Sequence, residues 1–129
     1  MYANKISEIG HREIEGFIGV FPLDKIPEHV CTPPKSFIVN TDTSNLEGKH
    51  WLAVSYETGG IIRVFDPLGF YYPQLLISKL HNLPNYHIIY NRKMFQNPLE
   101  STCGPHCLLF LKSRLNEYKH RKCLSRDVD

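Results

Sequence analysis

No run in these 129 residues approaches the roughly 18 consecutive apolar side chains that a membrane-spanning helix needs. The opening Met1-Tyr2-Ala3-Asn4-Lys5 carries no basic segment followed by an apolar one, so a secretory leader is not expected. A chain that is neither secreted nor membrane-bound, with a cytosolic or nuclear setting, is the expectation. An excess of one charge is also lacking. The 15 Lys and Arg against 13 Asp and Glu leave +2, too little to require nucleic acid or an anionic membrane as partner. Repeats and low-complexity segments are absent. Cysteine is scarce, at positions 31, 103, 107 and 123, and without a leader these are expected as reduced thiols rather than a disulfide framework. What is present is ordinary globular material, 42% apolar and 22% charged. One domain over residues 1–129 with its own core follows from that length.

One stretch organises the rest. A polar, turn-forming segment from Phe95 to Thr102 runs into Cys103, and the unbroken apolar run of Cys107-Leu108-Leu109-Phe110-Leu111 follows. Ser101 and Thr102 suit a helix N-cap, and Pro105 suits a first helical turn. Leu108, Leu111 and Leu115 recur at helical spacing. Cys103 is therefore expected where a loop meets the N-terminus of a buried helix running to about Asn116. Unpaired N–H groups and a partial positive charge at that end favour thiolate, the form that acts as a nucleophile. The plainer alternative is a buried structural cysteine, the commoner fate of a single Cys.

Upstream, Ile6, Ile9 and Ile14 mark a short amphipathic helix over 5–16, weakened by Gly10, and Phe17 to Pro22 reads as an extended piece on the core. Four prolines between Pro22 and Pro34 make a loop or a single helical turn. Strands are expected over 36–41, 50–56 and 61–66, the last two joined by a Gly59-Gly60 hairpin in an antiparallel meander. A helix over 73–83, with Leu75, Leu76, Leu80 and Leu83 inward, and a short strand over 86–90 complete the middle. The expected fold is α+β: a central, mostly antiparallel sheet of about four to five strands packed on the Cys103 helix, with flanking helices.

His50 opens one strand and Asp66 closes the next, so a hairpin brings both to the same end of the sheet. An acid beside an imidazole fixes its tautomer and raises its basicity. A Cys facing such a His forms the thiolate–imidazolium pair of thiol proteases. Gln96 supplies a side-chain amide a short loop upstream of Cys103, and the Cys103 backbone N–H lies at the helix end, so both can serve an oxyanion. Taken singly, His50 is a polar strand residue, Asp66 a turn former and Gln96 a solvated loop residue.

Their flanks change the weighing. Gly48-Lys49-His50-Trp51-Leu52-Ala53, Val64-Phe65-Asp66-Pro67-Leu68-Gly69-Phe70, and Gln96-Asn97-Pro98 leading to Cys103-Gly104 resemble the adenovirus-type (adenain-like) cysteine endopeptidases. These share a broad group with the SUMO-specific and related ubiquitin-like proteases. Phe37-Ile38-Val39-Asn40-Thr41 is similar to the segment preceding the histidine in the adenovirus enzymes, and Phe17-Ile18-Gly19 with Asp24-Lys25 more loosely so. The resemblance implies His50 as general base, Cys103 as nucleophile, Asp66 as orienting acid and Gln96 as oxyanion donor, with Trp51 beside the site. Asp66 stands where adenovirus enzymes usually have Glu, as in the SUMO-protease branch. No cysteine lies between Asp66 and Cys103, so the disulfide tether through which those enzymes hold an activating viral peptide is not expected. The sequence stops soon after the expected nucleophile helix, where adenovirus enzymes continue with further helices, and a minimal version of the family is the expectation.

The resemblance implies an endopeptidase, expected as a monomer, that matures viral or mobile-element precursors, with Gly near the scissile bond. Activation by DNA or a viral peptide, and a place in the host nucleus or cytoplasm and in the virion, are further expectations from it. Lys112, Arg114 and Lys119-His120-Arg121-Lys122 form a basic patch able to bind phosphates nonspecifically. The alternatives are an isopeptidase for a ubiquitin-like modifier and a non-catalytic binding module. Cys103, Cys107, His120 and Cys123 carry zinc-like spacing. A helix from Cys103 onward separates the two pairs, so no metal is expected.

Overall fold

The computed structural model describes residues 3–27, 35–40, 51–67, 78, 86–90 and 103–128. In chain order these form α1 (Ala3–Glu13), β1 (Phe17–Pro22), a 3₁₀ turn (Leu23–Lys25), β2 (Lys35–Asn40), β3 (Trp51–Glu57), β4 (Ile61–Phe65), β5 (His87–Tyr90) and α2 (Cys103–Val128). The helix expected over 73–83 lies outside the described residues except for Ser78, which is helical.

The five strands make one sheet in sequence order. The expected strands are present, and Phe17–Pro22 joins them as an edge strand. β2–β3 and β3–β4 pair antiparallel over six and five residue pairs, whereas β1–β2 and β4–β5 pair parallel over four each. Chain length explains the difference. A two-glycine turn at Gly59 (φ 83°) and Gly60 (φ 71°) reverses the chain between β3 and β4. Parallel neighbours need a crossover of about a dozen residues or more, and the connections 23–34 and 66–86 are long enough.

Both faces of the sheet are packed. On one lie Ile38, Ala53 and Phe65 from the strands, Ile6 from α1, Ile14 just after it, and Cys107, Leu108, Leu111 and Leu115 from α2. The other carries Phe37, Val39, Leu52, Val54, Tyr56, Ile62 and Val64, with Leu23 and Ile26 from the β1–β2 connection. All seven residues of β3 are buried, because β3 has a strand on each side and apolar cover on both faces. Burying a residue such as Leu52 or Val54 contributes about 2 kcal/mol. Gly10 suits α1 despite its low helix propensity. A Cβ there would sit 2.4 Å from the Phe17 ring, so the bare backbone lets α1 close onto β1.

α2 differs from expectation at its far end. It begins on Cys103 but continues past Asn116 to Val128. Residues 116–128 contain neither Gly nor Pro and include two Lys and two Arg, so nothing in them stops a helix.

Candidate active site

Two contacts fix α2 lengthwise on β3. Near the helix start, the Cys107 thiol donates to the Trp51 carbonyl at 3.4 Å. Two turns on, Arg114 Nη2 and Nε reach Glu57 Oε1 and Oε2 at 2.6 and 3.0 Å. Trp51 is the first residue of β3 and Glu57 the last, so the helix runs in the same sense as the strand. Cys103 lies one turn before Cys107, about 6 Å further along the axis, and is set by its backbone just beyond the start of β3.

β4 ends at the same place. Its register pairs Ala53 with Phe65, the last residue of β4, and Asp66 follows directly. Asp66 is buried, with 4% of its surface exposed, which is not the environment of an ordinary turn residue. Phe65 stacks on Phe110 at 4.5 Å and 6°, so the end of β4 is also pressed against the first turns of α2. The sheet end thus gathers Asp66, Trp51 and the start of α2. Of the four residues singled out in the sequence, Asp66 and the backbone of Cys103 are described there. His50 and Gln96 lie outside the described residues.

This arrangement can favour a thiolate. A helix of 26 residues presents its N-terminal N–H groups and partial positive charge at Cys103. Pro105 costs nothing in that first turn, where its missing N–H would have had no helical partner. Cys107 is fully buried, as the core reading of that residue requires.

At the opposite end of β3 is a charged cluster that the sequence did not disclose. Arg63 Nε donates to Glu57 Oε1 at 2.9 Å, beside the two Arg114 bonds. Burial works to raise the Glu57 pKa, but the hydrogen bonds and charges of Arg114 and Arg63 outweigh it and hold the carboxyl below its usual range. The bond to Glu57 in turn raises the Arg114 pKa. The available signal was Arg114 lying between Leu111 and Leu115 on the inward stripe of α2, where an unpaired cation would be costly.

The expected basic patch is partly committed elsewhere. Arg114 points inward to Glu57, while Lys112 and Lys119 pair with Glu13 and Glu15 at 3.6 and 3.5 Å. Cys107 and His120 fall on one continuous helix, roughly 20 Å apart along its axis, so the zinc-like set cannot close on a single ion. Among the described residues no helix is long and apolar enough to cross a membrane.

A family model described as adenovirus endoprotease matches residues 17–126. The chain is similar to the protease of porcine adenovirus A serotype 3, with 33% identity over 89 residues, 57% of this chain and 44% of that protein. It is also similar to the protease of bovine adenovirus C serotype 10, with 28% identity over 97 residues, 64% of this chain and 50% of that protein. The chain spans about half the length of the curated relatives it matches. Among solved structures, the selenomethionine form of an ASFV protease covers 66% of this chain and 37% of its own, at 25% identity and a TM-score of 0.47.

Proposed function

The chain belongs to the adenovirus endoprotease family, and from that premise we propose that it is a viral cysteine endopeptidase with Cys103 as nucleophile. What carries the reading is one observation: α2 starts on Cys103 and is held by Cys107, one turn on, against Trp51, the residue after His50, where the buried Asp66 follows β4.

In this mechanism His50 takes the Cys103 proton, and Asp66 orients the resulting imidazolium. The thiolate attacks the scissile carbonyl carbon. The Gln96 amide and the Cys103 backbone N–H receive the oxyanion. When the tetrahedral species collapses, the C–N bond breaks and His50 returns the proton to the leaving amine. Water then attacks the thioester with His50 as base, releasing the new carboxylate and restoring the thiol.

The relatives bear the name protease and come from adenoviruses. The proposed substrates are therefore viral precursor proteins, with small residues such as Gly beside the scissile bond. DNA or a viral peptide is proposed as activator, and the virion and the host nucleus or cytoplasm as the setting.

The test is labelling with a thiol-directed active-site probe and cleavage of a peptide library beside a panel of modifier fusions, with and without DNA. Cys103→Ala is expected to lose both labelling and cleavage with its fold intact, while Cys31→Ala and Cys123→Ala keep both. Labelling or turnover that survives Cys103→Ala would overturn the mechanism. Turnover confined to the modifier fusions would overturn the precursor substrates.

A further inference from the structure

We infer that Cys107 is a positioning residue for this site: its thiol, bonded to the Trp51 carbonyl, sets the start of α2 against the start of β3 and thereby Cys103 against His50. The inference rests on the assignment of Cys103 and His50 as nucleophile and base.

The two proposed reacting residues come from distant parts of the chain, and the Cys107–Trp51 bond is a short bridge between them. Cys103 and Cys107 are four residues apart on α2, about one helical turn. Trp51 follows His50 directly in the chain. Between these rigid steps stands one contact, Cys107 Sγ to Trp51 O at 3.4 Å, fully buried on the cysteine side. A distance fixed this way is what a nucleophile–base pair needs, since small misplacements are costly in rate.

A thiol is small. Cys107 lies in the same cluster as Ala53, and two compact side chains let the helix lie close to β3.

The experiment follows the rate of Cys103 alkylation by iodoacetamide against pH, read by peptide mass spectrometry, together with kcat and KM for a cleavable peptide. It uses the full chain as wild type, Cys107→Ala, Cys107→Val and Cys107→Ser, each with a thermal melt. Wild type is expected to alkylate well below the ordinary thiol range. Ala and Val, which lack the donor, are expected to move that limb toward the ordinary range. Both should also lower kcat by about tenfold or more with KM little changed. Ser, which keeps a donor, is expected to hold the wild-type limb even if it melts lower. Val fills the volume that Ala vacates, so it decides the matter should Ala fail to fold. An unchanged limb and kcat in the folded Ala or Val variant would overturn the positioning role alone. An ordinary thiol limb in wild type would instead overturn the proposed thiolate–imidazolium pair.

Discussion

Tyr56 and Asp66 mark the limits of reading residues singly. The local sequence Asp66-Pro67-Leu68-Gly69 describes a turn former, yet Asp66 is buried, because β4 delivers it to a sheet end already covered by α2. Tyr56 reads as a strand aromatic and is one, but its hydroxyl is buried with no hydrogen-bond partner among the described residues. Burial first, and then the neighbouring Tyr86, push its pKa up to about 12. Its ring packs edge-on to Phe37 and tilted to Tyr86, at centroid separations of 5.9 and 5.8 Å, and phenylalanine would keep both contacts. An unbonded buried hydroxyl costs about 1–3 kcal/mol, so Tyr56→Phe is expected to leave stability unchanged or raise it by about 1 kcal/mol. The pH dependence has a definite sign. The folded pKa lies above the unfolded value, so the unfolded chain releases this proton first and stability falls as pH rises from 10 toward 12. Urea midpoints across that interval should fall less steeply in Tyr56→Phe. Parallel curves for the two proteins would show that Tyr56 does not carry the alkaline limb.

Elements were legible wherever the signal was local. The start of α2, its Leu108–Leu111–Leu115 stripe and the β3–β4 hairpin follow from caps, spacing and glycines, and all three are present. The parallel pairing of β1 and β5 was not legible, because it depends on crossover connections rather than on the strands' own residues. Nor was the anchoring of α2 by Glu57, which pairs with Arg63 across the β3–β4 turn and with Arg114 far along the chain on α2. This anchor predicts how the helix loosens. Arg114→Met would leave Glu57 buried with Arg63 alone, at an expected cost of about 2–3 kcal/mol near neutral pH. Because the folded Glu57 pKa is lowered, its stabilisation is present above the ordinary carboxylate value of 4.5 and is lost as pH falls through the folded one. The gap between wild type and Arg114→Met in urea unfolding should therefore narrow on acidification. A gap that held constant into acid would mean that Arg114 acts by packing its stem rather than by pairing.

Across the whole molecule the proposed chemistry hangs from the most enclosed part of the sheet. β3 carries strands on both sides and apolar clusters on both faces, with Leu52, Ala53 and Val54 fully buried. His50 is joined directly to its first residue, and Asp66 follows the last residue of the neighbouring β4. A site built on such elements is held more rigidly than one carried by loops. β5 is the contrast: four residues with β4 as its partner among the described strands, and Ile89 and Tyr90 exposed at 41% and 42%. Segments with few buried contacts open locally, whereas enclosed ones open only with the whole fold. Native-state amide exchange at increasing urea should then separate the two. The central amides of β3 are expected to exchange with the full free energy of global unfolding and its full urea dependence. Those of β5 should exchange at lower free energy and with little dependence on urea. If β5 were as protected as β3, the sheet would open as a single unit, and the start of β3 would hold no advantage in rigidity as a mount for the nucleophile's partner.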